Sequence, residues 1–248
     1  MSHFYTDEGK LIEGDIRKAR KHNLLPSVTT VLYVIAKEWG LQNWVLEEHI
    51  KEAVGISRKR FGSEGDFVLK DSEIIKQVKE AQNAKRDTIM EYGNVIHNLM
   101  ERIVKGERMF HIADYEDRIK NTIPAMIEWA YDNQVNVIDT EKVMVNTEHG
   151  FASTFDLHCK IGSEEWLIDY KTQGTKEGKP VTRYKEWSYQ LGGYDILLDG
   201  KPKRYGNLVI SSTEPGRIEM KEWKQEEIDH GRDIFLTALK LYKLIKKL

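Results

Sequence analysis

The sequence predicts an α/β protein: a mixed β-sheet core flanked by helices, with a mainly helical N-terminal region before it. Three observations carry this expectation. Apolar residues recur at helical spacing from about Pro26 to Tyr131. From Glu141 the period shortens to that of strands, in short runs parted by turn residues. One further helical segment, Thr182 to Gly200, separates the third strand from the fourth, so the second half reads βββαββα. No Pro/Gly/Ser-rich linker divides the 248 residues, so a helical region 1–135 and a core 136–248 are expected to form a single compact unit.

Taken in order, "PSVTTVLYVIAKEWG" offers Ser27 or Thr29 as a helix cap and Gly40 as its stop. "LQNWVLEEHIKEAVG" is a second helix ending on glycine, and "SRKRFGSEGDF" reads as a basic loop. Asp71 to Gly106 holds one long helix or two shorter ones. "YEDRIKNTIPAMIEWAYDN" is another, with Pro124 marking a kink or a late start. "KVMVNTE", "FASTFDLHCKIG" and "EEWLIDYKT" are three strands whose close spacing implies an antiparallel meander. Trp187, Leu191, Tyr194 and Leu198 form the apolar stripe of the helix that follows. Gly192 and Gly193 weaken that helix, a cost that makes sense if it must approach the sheet closely. "RYGNLVIS" and "GRIEMKEW" are two more strands, and "KQEEIDHGRDIFLTALKLYKLIKKL" is a closing helix.

Composition narrows the function classes. A net charge of −2 excludes a globally basic nucleic-acid binder but leaves room for a local basic groove. The one cysteine, Cys159, excludes an internal disulfide framework and a four-cysteine zinc or iron–sulfur site, and suits a reducing compartment. The start is polar and acidic, without a signal peptide, and the apolar stretch Asn23 to Ala36 is too short to span a bilayer. The expectation is a soluble cytoplasmic protein without a membrane partner.

The chemistry gathers around "WLIDYKTQG". Asp169 and Lys171 stand two apart in an apolar strand, so both project from one face while Trp166, Ile168 and Tyr170 take the other. Asp156, on the preceding strand, can lie beside Asp169 across a hairpin of this length. Two adjacent carboxylates repel unless a cation neutralises them, and oxygen ligands suit Mg²⁺ or Mn²⁺. Gln190 and Tyr194 are four apart on the next helix and point the same way. His97 lies on an earlier helix, four residues after Gly93 and four before Glu101. Singly each has an ordinary explanation: an isolated Asp-x-Lys is more often a surface ion pair, and a lone helical histidine is more often structural. Their order is what carries information.

That order, "GNVIH", "STFD", "LIDYKT" and "QLGGY", resembles the RecB-type branch of the PD-(D/E)XK nuclease superfamily. "LPSVTTVL" is similar to a segment of the mitochondrial genome-maintenance exonucleases and their phage relatives, and the likeness runs from about Pro26 to Ile210. The resemblance implies a restriction-endonuclease-like core. It implies a metal held by Asp156, Asp169, His97 and the Tyr170 carbonyl, with Glu141 as a further acid. Lys171 would orient the attacking water or clamp developing charge, Gln190 would hold Lys171 or the phosphate, and Tyr194 would support Gln190. It implies a Mg²⁺- or Mn²⁺-dependent deoxyribonuclease, an exonuclease on ends or single strands in recombination, repair or replication, with a phage setting and a single-strand-binding or recombination partner protein. The four cysteines of an iron–sulfur staple and a Walker A motor segment are both absent from the sequence. We read Lys171 as a clamp rather than a base, because flanking carboxylates favour a cation.

Basic residues offer contacts to a DNA backbone at Arg58, Lys59 and Arg60, in the loop with Lys176, Lys179, Arg183, Tyr184 and Lys185, and at the C-terminus. The loop is favoured, since it leaves the Asp169–Lys171 strand directly and carries aromatics able to stack unpaired bases. Two alternatives stand beside the exonuclease: an endonuclease on the same core, and a non-catalytic nucleic-acid-binding or assembly protein.

Overall fold

The computed structural model describes residues 2–35, 48, 49, 51–53 and 71–248. Arg58, Lys59 and Arg60, and most of the second expected helix, lie outside them. Packing divides the chain into two units, residues 1–36 with 95–248, and residues 37–94, so the boundaries do not fall at 135/136. In the second unit Glu48 accepts hydrogen bonds from Lys51 and Lys85.

The first unit opens with strands where a helical region was expected. Ser2–Tyr5 (β1) pairs antiparallel with Leu11–Gly14 (β2) and with Leu25–Pro26 (β3) in the order β2-β1-β3. Strands of four, four and two residues are too short for alternation to register in a sequence. Two short helices interleave with them. Ile16–Lys21 (α1) is capped by Asp15, whose carboxylate accepts from the Arg17 and Lys18 amides at 3.0 Å. Val28–Leu32 (α2) is capped by Ser27, whose Oγ accepts from the Thr30 amide at 3.0 Å.

Asp71–Val104 is one long helix (α3), followed by Gly106 at φ +98°. The next segment is two helices, Asp117–Lys120 (α4) and Ile123–Asp132 (α5), with Pro124 in the first turn of the second. Pro124 therefore starts a helix, where its missing N–H costs nothing.

The second half follows the expected order. Asn136–Asn146 (β4), Phe151–Ile161 (β5) and Glu164–Gln173 (β6) form the antiparallel meander. Glu186–Leu197 (α6) then carries the chain across to Arg204–Ser211 (β7), which pairs parallel with β6. Ile218–Trp223 (β8) turns back antiparallel, and Gln225–Lys246 (α7) closes the chain. The result is a mixed five-strand sheet, β4-β5-β6-β7-β8, flanked by helices. No helix among the described residues is long and apolar enough to cross a membrane.

One core cluster joins Phe151, Phe155, Leu167 and Tyr205 of the sheet to Val28, Val31, Leu191, Tyr194 and Phe235 of α2, α6 and α7. Leu167, Asp169 and Lys171 therefore face α6, while Trp166, Ile168 and Tyr170 are buried on the opposite side. The glycines of α6 serve a neighbour other than the one expected. A Cβ on Gly192 would stand 2.5 Å from the Arg232 amide of α7, and one on Gly193 would meet Val28 and Phe235. They let α6 lie against α7 and α2, which in turn sets α6 over the sheet.

Candidate active site

The site forms where two strands part. Pairing between β5 and β6 ends at Leu157–Ile168, so the residues beyond it, Asp156 on one strand and Asp169 to Lys171 on the other, leave the ladder together. Asp156 Oδ2 accepts the Tyr170 amide at 2.6 Å, satisfying a buried N–H that the parting would otherwise strand. The same bond pins the Asp156 carboxylate at the fork.

Asp169 is 2% exposed, and its Oδ2 lies 2.7 Å from Lys171 Nζ. Lys171 also donates to Gln190 Oε1 at 2.8 Å, and Gln190 Nε2 donates to Tyr194 Oη at 2.6 Å. The i, i+4 spacing on α6 thus becomes a relay, Tyr194 to Gln190 to Lys171. The ammonium is held between a carboxylate and an amide oxygen, and it cannot swing freely.

His97 approaches through α3, with Nδ1 3.5 Å from Asp156 Oδ1 and its ring edge-on to Tyr170 at 5.6 Å between centroids. His97, Glu141 and Asp156 each present one ligand atom, all within 4.8 Å of one another. Tyr170 gives its amide to Asp156 and its ring to His97, so its place in the fork is doubly determined.

Glu141 sits in the middle of β4, between the paired residues Thr140↔Leu157 and Lys142↔Phe155, which keep one continuous register. Its φ is +48°, the left-handed region that a non-glycine residue enters at a cost of about 1–3 kcal/mol. The distortion falls at the position opposite Asp156, where the acid joins the cluster.

Electrostatics at the site are dominated by burial. Burial pushes Glu141 up to about 7, and the Asp156 charge adds to it. Asp169 rises to about 6: burial and Asp156 outweigh the Lys171 ammonium even at 2.7 Å. Burial opposes ionisation of Asp156 as well, but His97, Lys171 and the Tyr170 amide together bring it below the usual carboxylate range. Burial works against the His97 cation, yet Asp156 and Asp169 raise its pKa. Three acids therefore crowd around Lys171 and His97, and burial pushes two of the acids towards the neutral form. Buried oxygens in this state, beside an imidazole, fit a hard divalent cation.

Two site residues carry no sequence signal of their own. Asn207 of β7 stands in register with Asp169 and donates from Nδ2 to its Oδ2 at 2.7 Å. Trp223 of β8 donates from Nε1 to Asn207 Oδ1 at 2.7 Å. A lone amide just before the apolar run "LVI" was the available clue, but only the parallel pairing of β6 with β7 brings it to Asp169.

The basic loop is ordered from beneath. Arg217 donates to the Lys176 carbonyl at 3.1 Å and to the Lys179 carbonyl at 2.6 Å, and Val181 is buried. Lys176, Lys179 and Lys185 are exposed, and no ion pair among the described residues engages them. Tyr184 is 50% exposed and packs edge-on to Trp187 at 5.3 Å. Arg183 differs: its guanidinium stacks 3.5 Å over Trp223 and bonds Glu227 at 2.7 Å, so it is committed within the fold.

No protein-family model matches the chain, and no curated protein does. Among solved structures, "Crystal structure of SSO0001" is similar at 14% identity over 79% of this chain and 85% of that one, with a TM-score of 0.33.

Proposed function

We propose that this protein is a metal-dependent DNA nuclease, hydrolysing phosphodiesters at DNA ends or in single strands. The observation that supports it is the fork itself. Asp156, Asp169 and Lys171 converge where β5 and β6 part, with His97 and Glu141 beside Asp156. A core of ordinary packing needs none of these five together, and gathering so many ionisable groups out of water costs free energy even where they pair.

Asp156, Asp169, His97 and Glu141 would hold Mg²⁺ or Mn²⁺. When bound, such an ion screens the phosphate charge and acidifies a water. The protein's own share is positional. Lys171, fixed by Asp169 and Gln190, places one positive charge where negative charge grows on the phosphoryl oxygens, and a fixed charge needs no reorganisation during reaction. Lys176, Lys179 and Lys185 would contact backbone phosphates, and Tyr184 offers a face to an unpaired base. A cytoplasmic role in recombination, repair or replication, alongside a single-strand-binding partner, fits that activity.

The deciding experiment is cleavage of end-labelled linear DNA with Mg²⁺ or Mn²⁺, by wild type and by Asp169→Ala. Metal-dependent loss of the label by wild type alone is expected. Equal cleavage by both proteins, or none by either, overturns the proposal. Covalently closed circles run in parallel should survive, and their nicking would reassign the enzyme as an endonuclease.

A further inference from the structure

We infer that Asn207, oriented by Trp223, is a positioning residue that governs the cation affinity of the site by locking the Asp169 carboxylate, an inference that rests on the nuclease reading. The orientation of the Asn207 amide follows from its neighbours. An indole Nε1 can only donate, so the atom it meets at 2.7 Å must be the amide oxygen, and the amide NH₂ must face Asp169. Asn207 is fully buried and Trp223 is 5% exposed, so neither has water as an alternative partner.

Trp223 is itself fixed from outside. The Arg183 guanidinium carbon lies 3.5 Å from the centre of its ring, and the same guanidinium is tied to Glu227 at 2.7 Å. The indole thus cannot rotate away without breaking a stacked cation and an ion pair. A continuous line of contacts runs from the basic loop through Trp223 and Asn207 to Asp169.

The consequence lies in which carboxylate oxygen is used. Asn207 Nδ2 and Lys171 Nζ both meet Asp169 Oδ2, each at 2.7 Å. Asn207 Nδ2 also lies 3.3 Å from the Asp169 backbone carbonyl, which fixes the amide to β6 at two points. Two donors on one oxygen set the plane of the carboxylate and leave Oδ1 to a cation. Without Asn207, Asp169 is free to turn both oxygens towards the Lys171 ammonium, closing the charge pair on itself. Asn207 keeps the pair open.

The test measures Mn²⁺ binding by titration calorimetry, with DNA cleavage assayed alongside, for wild type, Asn207→Ala and Trp223→Phe. Trp223→Phe removes the donor and keeps the ring, so it decides the matter if Asn207→Ala does not fold. Expected is Mn²⁺ binding weakened roughly 10- to 100-fold by Asn207→Ala, in line with other groups that orient metal ligands, with a smaller loss in Trp223→Phe. kcat should fall while KM for DNA stays within about twofold, since no DNA contact is removed. A merely structural asparagine would lower the melting temperature and leave Mn²⁺ affinity unchanged, and that result overturns the inference. Wild type that binds Mn²⁺ but cuts no DNA sinks the nuclease reading and leaves this one to the binding data. Wild type that cuts DNA, with unmoved affinity in both variants, does the reverse. Wild type that binds no Mn²⁺ removes both.

Discussion

Lys171 is the residue on which the proposed chemistry turns. Its ammonium is gripped by Asp169 and Gln190, with Tyr194 behind. Such a grip suits a charge clamp. Lys171→Met should therefore lower kcat by about 10²-fold or more at saturating metal, the scale seen when one fixed transition-state donor is removed. Mn²⁺ binding should persist in that variant, because the carboxylates and His97 remain. Near-full turnover by Lys171→Met would remove the clamp from the mechanism. Asp156 has a second duty, since its Oδ2 also satisfies the buried Tyr170 amide. Asp156→Ala is expected to destabilise the fold by about 1–3 kcal/mol in urea unfolding, the cost of stranding a buried donor.

At the scale of elements, legibility followed length and period. The run βββαββα could be read because β4, β5 and β6 span ten or eleven residues each, long enough to register between turn residues. The hairpin at β1 and β2 could not, because strands of four residues hold too few repeats. Asp169, Lys171, Gln190 and Tyr194 were legible through spacing along a single strand or helix. Asn207 and Trp223 were not, because their roles depend on β6 and β7 pairing in parallel, a choice made by tertiary packing. The cost of the α6 glycines is visible in the sequence, but the neighbour they admit is not: they meet α7 and α2 rather than the sheet. Gly192→Ala tests the correction. A methyl driven against the α7 backbone should cost about 1–3 kcal/mol of unfolding free energy, measured in urea. It should also displace Gln190 and slow any cleavage, although the substituted position touches no substrate.

Over the whole molecule, charge decides two measurable behaviours. Folding raises the pKa of Glu141 from 4.5 to about 7 and that of Asp169 from 3.8 to about 6. Each binds its proton more tightly folded than unfolded, so each withdraws stability as pH climbs between those values. His97, also raised, contributes stability at low pH that is lost as it deprotonates. Asp156 is shifted the other way and is already ionised throughout this window. The metal-free protein should thus lose stability from about pH 4.5 to pH 7, read as a falling melting temperature. Mn²⁺ should restore it more at pH 7.5 than at pH 5, because a cation competes with those same protons. The second behaviour concerns salt. On the proposed nuclease reading, a net charge of −2 makes long-range attraction to DNA weak, so binding would rest on local lysines. Lys176→Ala and Lys179→Ala should each lower the slope of log affinity against log salt by about 0.7–0.9, measured by fluorescence anisotropy.

The left-handed turn at Glu141 leads to one last expectation. Glycine adopts that backbone freely, and asparagine nearly so, while a glutamate there holds the strand under tension. Both replacements would also take an acid out of a crowded, desolvated cluster. Glu141→Gly and Glu141→Asn should therefore melt higher than wild type in metal-free buffer at neutral pH, and bind Mn²⁺ worse. A library of this protein screened only for heat resistance would accordingly discard the acid at position 141, and the survivors would show what that strained residue had been kept for.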